Sequence, residues 1–479
     1  MNTTVSQAAP AAASRRNIIL ATCCLSLLMV AMDSTIVNVA LPSIREDLQA
    51  SVSNLQWIID AYTIVLASFL ILGGSTADRF GRRRVFQIGL VTFSAGSLLC
   101  SLSSGIGWLI VARIAQALGG CMLNPVAMSI IVNTFHEPRE RARAIGIWGA
   151  VAGISMALGP LVGGFLTQTL GWHAIFWINV PFGLLALGLT ARFVPESRAP
   201  RARRPDPVGQ VLLLTGLGAL NFCLIEGSKA GSAVALSTGL LAAAAFAALL
   251  IYEPRRHEPL IDLRFFRSVP FSGATITAVC MFAALGAFLF LNSLYLQEVR
   301  GLSAFRVGLF ILPMAVAVMI VSPLSGRLVG AYGARPSLLM SGTMLTLSTL
   351  LLTRLDAATP LVELLLIYCG FGIGFGMVNA PVTYAAVSGM PRAQAGLASA
   401  IASTSRQSGV SVGVAMAGAL AGGGLSWAGY AQATHVVWWI LSGAGLMVLL
   451  LAWITTGRWA KASTERIAHL LQEPSGGTA

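Results

Sequence analysis

GSTADRFGRRR, residues 74–84, sets one aspartate (Asp78) and four arginines (Arg79, Arg82, Arg83 and Arg84) between two long apolar runs. Such crowding stands out against the rest of the chain. Of 479 residues, 56% are hydrophobic and only 10% charged, with a mean hydropathy of +0.78, a balance outside that of soluble globular domains. The chain reads as an all-α integral membrane protein. A helix needs about 20 mostly apolar residues to cross the hydrocarbon core. Fourteen such runs stand between short polar or Pro/Gly-marked breaks: 18–41, 54–77, 85–104, 106–131, 143–169, 172–194, 208–226, 234–252, 270–297, 304–330, 337–354, 361–388, 394–424 and 432–456. Residues 74–84 then form the loop between the second and third spans.

Lys and Arg accumulate in cytoplasmic loops, and an even number of spans puts both termini on one side. With that side inside, cytoplasmic segments hold 24 of the 31 basic residues and outer segments five (Arg45, Lys229, Arg300, Arg306 and Arg354), while Arg113 and Arg406 lie within spans. The split predicts a multi-pass protein of the cell membrane with both termini cytoplasmic. The net charge of +13 is spread over many loops facing anionic lipid, so no nucleic-acid partner is expected. The apolar run behind Arg15 and Arg16 is of span length and carries Asp33, and it reads as a first span, not a removable leader. All seven cysteines fall in spans without a repeated CxxC, and the five histidines lack ligand spacing. Packing roles are expected for the cysteines, with no metal and no cofactor.

The loop also has a partner elsewhere in the chain. Aligning it with GRLVGAYGARP (326–336) matches Gly74 to Gly326, Phe80 to Tyr332, Gly81 to Gly333 and Arg83 to Arg335. Two related halves are the consequence, 1–194 and 253–457, joined by a Pro- and Arg-rich linker (195–207) and two spans outside the repeat (208–252). The tail, 458–479, carries a candidate amphipathic helix over 458–471 with Trp459, Ile467 and Leu470 on one face. Residues 1–14 and 474–479 read as disordered. Repeats of this kind are common in transporters, with the substrate site between the halves near the bilayer midplane.

Four stretches carry a resemblance to the major facilitator superfamily. GSTADRFGRRR resembles its loop motif between the second and third helices, and MDSTIVNVALPSI (32–44) the first-helix signature of its fourteen-helix drug:proton antiporter branch. RIAQALGG (113–120) resembles the fourth-helix motif built on an intramembrane Arg. GISMALGPLVGG (153–164) resembles the fifth-helix antiporter motif. Ala117, where the family usually has Gly, and Thr76, where it has Leu, depart from the pattern. The resemblance implies two six-helix halves plus two extra helices and a monomer that works by alternating access. It further implies proton-driven export of hydrophobic or cationic drugs, with the proton gradient as the only energy source. An exporter of an endogenous metabolite or lipid would use the same machinery, whereas a channel or membrane-bound enzyme finds little support: there is no nucleotide-binding loop and no metal triad.

Physical readings of the residues stand beside the resemblance. Asp78 can accept hydrogen bonds from an Arg or from a helix start, so Asp78, Arg79, Gly81, Arg82 and Arg83 form a candidate latch, closing either within the loop or across to the eleventh helix. A purely topogenic role explains the arginines alone. Gly159, Gly163 and Gly164 allow close helix approach and Pro160 bends the helix, which suits a seam between halves as well as generic packing. Ionisable groups within the bilayer each cost about 3 kcal/mol or more. Asp33, Asp60 and Arg113 lie about 12, 9 and 10 Å from the outer ends of their runs, which makes one proton-handling cluster feasible. Asp33 is expected as the principal proton carrier and an attractant for cationic substrate, with Asp60 second and Arg113 organising both. The alternative for Asp60 is a helix-start residue near the N-terminal dipole. Trp57, Tyr62, Phe290, Asn292, Tyr295, Met314 and Asn379 are candidate substrate contacts, each equally suited to packing. Arg406 and Gln407 either face the cavity or brace the second half.

Overall fold

The computed structural model describes residues 8–199, 204–388, 394–421, 427–457, 459–460 and 462–464. Among them no strand occurs. The helices are α1 (Ala8–Asp47), α2 (Val52–Phe80), α3 (Arg82–Ser101), α4 (Ile106–Thr134), α5 (Pro138–Leu170), α6 (Ala174–Trp177), α7 (Asn179–Phe193), α8 (Pro207–Ala230), α9 (Ser232–Tyr252), α10 (Val269–Leu294), α11 (Ala304–Tyr332), α12 (Ala334–Leu352), α13 (Leu361–Gly376), α14 (Asn379–Val387), α15 (Ala395–Ala421) and α16 (Trp427–Thr455). Side-chain caps start several of them: Ser51 accepts from the amide of Asn54, Asp206 from that of Gly209 and Ser268 from that of Phe271. The helix ends are written in the sequence as Ser/Asp caps and glycine stops.

Among the described residues, twelve helical segments are long and apolar enough to cross a membrane, with α6 and α7 counted together, and α13 with α14. The two remaining runs expected to span, 337–354 and 394–424, also fold as helices, α12 and α15, but fall short in hydropathy. Many of their polar residues face inward: Ser337, Ser341, Ser348 and Thr349 on α12 and Thr404, Ser405 and Ser411 on α15 are buried. Order begins earlier than expected at the N-terminus, where α1 reaches back to Ala8 through an alanine-rich stretch of high helix propensity. Most of the candidate tail helix, including Ile467 and Leu470, lies outside the described residues.

The repeat is visible in backbone and packing alike. Gly81 and Gly333, matched in the alignment, take φ of +113° and +78° and stop α2 and α11 in the same way, each amide bonding back four residues. Only glycine adopts that region readily. The pairings α1 with α5, α2 with α4, α3 with α4 and α3 with α7 recur as α10 with α15, α11 with α13, α12 with α13 and α12 with α16. Between halves, α5 lies on α11 and α2 on α15. The α8–α9 hairpin stands outside this symmetry. Its α8 touches both halves, Gln210 Nε2 donating to Ser68 O on α2 at 2.6 Å and Asn221 Oδ1 accepting from Ser411 Oγ on α15 at 3.0 Å.

The two ends of the bundle differ. At the end where α1 and α5 finish, Ser293 Oγ donates to Asn38 O (2.6 Å), Gln297 Nε2 to Val39 O (2.9 Å), and Arg45 pairs with Glu298 (3.2 Å). These contacts tie the halves together beside a surface cavity of about 670 Å³ lined in part by Arg45, Glu46, Gln168, Gln297 and Glu298. There Gly164 rests on the backbone of Ala304 and Phe305, and Gly308 on that of Pro160 and Leu161. Residues eighteen apart share one helix face, five turns removed. Yet Gly146 on α5 and Gly326 on α11, eighteen from Gly164 and Gly308, have no atom within 4 Å of where a Cβ would stand, and neither does Gly153. The two helices touch at one end and part at the other, so a crevice between the halves opens along α5 and α11 at the arginine-rich end, while on the other seam Ile71 of α2 stays packed against the cluster that holds Ala398, Ile401 and Ala402 of α15.

Candidate functional site: a buried ion pair in the first half

Asp33 on α1 and Arg113 on α4 are 0% and 1% exposed, and their side chains meet at 2.6 Å between Oδ2 and Nη1. Polar neighbours complete the site. Asp33 Oδ1 accepts from Gln116 Nε2 (2.8 Å) and Asn179 Nδ2 (3.0 Å), and both amides also donate to Ser97 Oγ (2.6 and 3.1 Å). Arg113 donates further to Gln116 Oε1 (2.7 Å) and, through Nε, to Ile58 O (3.2 Å). Its guanidinium lies 4.0 Å from the ring centre of Tyr62 and 5.7 Å from that of Phe176, within cation–π range. Five helices, α1, α2, α3, α4 and α7, supply the hydrogen bonds, and α6 adds the Phe176 ring. The two charges cancel, and a proton on Asp33 would remove the charge that holds Arg113. Removing either partner alone would strand the other at a cost of about 3–5 kcal/mol.

The sequence reading placed the two charges but passed over Gln116, Asn179 and Ser97. Gln116 was within reach, since it follows Arg113 by three positions and so shares its helix face. Asn179 and Ser97 carry no such signal, being uncharged polar residues in apolar runs. Asp33 itself is sequestered: both oxygens are engaged within the first half, so this geometry does not offer it to a cationic substrate.

Asp60 does not join the pair. It is 0% exposed, far from a solvated helix-start residue, and its polar neighbours are Thr63, whose Oγ1 stands 3.5 Å from Oδ1, and Ser411 on α15. The expected three-membered cluster is therefore corrected to an ion pair and a separate carboxyl at the seam of α2, α15 and α8. Helix rotation explains it. Tyr62 faces Arg113, and a residue two positions away points to roughly the opposite side.

The charged loop closes within its own half. Asp78 Oδ1 accepts from Arg82 Nε (3.1 Å) and Nη2 (2.8 Å), and Arg82 N donates to Ser197 O (2.9 Å). Glu196 occupies the start of α3, accepting from the amides of Arg83 (3.1 Å) and Arg84 (3.3 Å), which satisfies donors a helix start leaves open. Its carboxylate passes so near Gly81 that a Cβ there would stand 2.6 Å from Oε1. Arg83 Nη2 reaches Ala191 O at 2.5 Å, and Arg79 lies over the ring of Phe80. Among the described residues, no hydrogen bond or ion pair runs from Asp78 to the second half. Of the fifth-helix glycines, Gly159 meets Thr35 and Gly163 meets Ile36 on α1, whereas Gly164 meets α11.

The candidate substrate contacts divide sharply. Phe290, Asn292, Tyr295 and Met314 are all 0% exposed, packed in the second half's core. Asn292 Oδ1 accepts from Tyr368 OH at 2.6 Å, and Tyr295 OH donates to Asp356 O at 2.5 Å. Tyr62 is committed to Arg113, and half-buried Trp57 donates to Glu226 on α8 at 3.1 Å. Asn379, Arg406 and Gln407 remain partly accessible. Of these, Arg406 Nη2 donates to Thr383 Oγ1 at 2.7 Å.

A repeated bundle with paired inter-half seams and a crevice between halves is joined by a direct match. The family model described as Major Facilitator Superfamily matches residues 23–414. The chain belongs to this superfamily of transporters. Among superfamily members it is 39% identical over 405 residues, 84% of this chain and 75% of the relative, to "Multidrug resistance protein Stp" of Mycobacterium tuberculosis (strain CDC 1551 / Oshkosh). It is 38% identical over 402 residues, 82% of this chain and 74% of the relative, to "Tetracenomycin C resistance and export protein" of Streptomyces glaucescens. A crystal structure of a D-xylose-proton symporter superposes with a TM-score of 0.66 at 17% identity, covering 91% of this chain and 97% of that one. At that identity the likeness is one of superfamily fold alone.

Proposed function

We propose that this chain is a proton-coupled antiporter of the cell membrane that exports small hydrophobic or cationic molecules by alternating access through fourteen spans. In this reading α12 and α15 span as well, the arginine-rich end and both termini are cytoplasmic, and the crevice opens inward. The relatives' names, resistance and export proteins, support the direction of transport. The observation that carries proton coupling is the Asp33–Arg113 pair, a titratable group held at 0% exposure inside a membrane bundle. Intramembrane ionisable residues of this kind mark proton relays. When the halves rock and the far end opens, a shift of α1 against α4 within the first half separates the pair and lets Asp33 take a proton from outside. Reclosing toward Arg113 expels that proton to the cytoplasm. Asp60, at the seam that must shear during rocking, is the second titrating group.

The test is substrate-induced proton movement in proteoliposomes, wild type against Asp33→Asn, over a panel of cationic dyes and neutral antibiotics. Compound-dependent proton release that vanishes in the variant is the expected result. Wild-type release by Asp33→Asn would sink the assignment.

A further inference from the structure

The second intramembrane guanidinium is satisfied very differently from the first. Arg113 has a carboxylate, an amide oxygen and a backbone carbonyl as acceptors. Arg406, eleven residues into α15, donates only Nη2 to Thr383 Oγ1 (2.7 Å), while its Nε is buried without a partner. Among the described residues it forms no ion pair. Among the described residues the ring of Phe282 also flanks its charge, with its centre 5.9 Å away. A guanidinium has five donors in a planar fork and stays charged. An unpaired one within a membrane protein is costly unless a ligand completes it.

The site is open on one side. Thr383 is exposed and Tyr384 is 50% exposed on α14. In its own half α14 is flanked by α10, α11, α12 and α15, so its exposed face looks across the crevice toward the first half. A molecule in that crevice meets the accessible part of the Arg406 guanidinium beside the Phe282 ring, and among the described residues no carboxylate pairs with it: Asp33 is sealed behind Arg113, and Asp60 lies in the α2–α15–α8 seam.

We infer that Arg406 anchors an acceptor oxygen of the exported molecule, a carboxylate foremost, which makes the preferred substrates amphiphiles bearing such a group instead of simple cations. The fork matches a carboxylate with two parallel hydrogen bonds, and Phe282 offers apolar surface to the attached body. This rests on the export reading above and refines its substrate class.

A matched pair of dyes tests it: rhodamine B, which carries a free carboxylate, and its ethyl ester, which lacks it. Binding to the purified full-length protein in detergent is followed by fluorescence anisotropy. Wild type is expected to bind the acid roughly tenfold or more tightly than the ester, as one charge-assisted bond implies. Arg406→Gln should abolish that preference and leave ester binding unchanged, while Arg406→Lys, as an independent check on folding, should keep part of it. Equal affinities, tighter binding of the ester, no binding of the acid by wild type, or an equal loss for both dyes in Arg406→Gln would overturn the assignment, the last pointing to a bracing role. Failure of export is read separately: acid-selective binding with no proton movement under any compound would leave Arg406 as a binding site and remove the antiport reading.

Discussion

The α1–α4 junction of the first half and the α10–α13 junction of the second are the same pair of helices in the repeat, yet they are filled by opposite means. The first holds Asp33 against Arg113 within a shell of amides and a serine. The second holds Asn292 against Tyr368 amid aromatic rings, with Phe288 stacked on Phe371 at 4.2 Å and edge-on to Tyr368 at 4.9 Å, centre to centre. One junction has a charge that a proton can cancel. The other has polar groups satisfied without any charge. A shared backbone plan thus leaves chemistry to side chains, and the ionisable pair sits in the half that also keeps the charged loop.

The comparison breaks most visibly at Arg113. Arg113→Ala leaves Asp33 buried and unpaired, and a loss of about 3–5 kcal/mol is expected, read as a large fall in the thermal midpoint of the purified protein. A midpoint like wild type would mean that the pair is not the support the geometry describes. Charging the second junction is the converse test. Asn292→Asp places a carboxyl in the core where the nearby Arg300 is already engaged by Tyr295 OH and Thr359 O, and its stability should fall by about 1–3 kcal/mol at neutral pH and recover as the pH is lowered, because the protonated acid restores a neutral group. Stability that instead rises with pH would show that the second junction tolerates charge. Tyr368→Phe is milder, leaving Asn292 Oδ1 without its donor at a cost of about 1 kcal/mol, with substrate-driven proton movement kept. Loss of coupling in that variant would erase the division of labour between halves. The smallest effect belongs to Glu298→Gln at the closed end, where a partly exposed ion pair contributes under about 1 kcal/mol. Its readout is accessibility: a cysteine introduced at Gln168, beside the far-end cavity, should label faster in Glu298→Gln. An unchanged rate would remove the pair from the closure.

Much of this was legible in the chain itself. Asp33 and Arg113 stood out because a charge in an apolar run has few innocent explanations, and Gly81 with Gly333 because a repeated turn demands the same backbone twice. Asp60 was placed wrongly for a rotational reason: depth can be counted along a run, but which face meets α4 depends on how α2 is turned against α1, α4 and α15. Phe290, Asn292, Tyr295 and Met314 could not be sorted into core or crevice, since aromatic and polarisable residues serve both. Glu196 gave no hint of capping α3, because its partners lie more than a hundred residues earlier.

The sequence by itself determined that the protein lives in a membrane, that it is built from two related halves, and which few charges the bilayer must accommodate. Those features follow from local run length and composition measured against a hydrocarbon thickness that does not vary along the chain. Only the tertiary structure decided that Asp33 meets Arg113 while Asp60 stands at another seam, that Arg406 keeps donors free, and that the halves part at the arginine-rich end. Each of these depends on the rotation and tilt of helices against distant neighbours, which packing fixes collectively and no single run encodes.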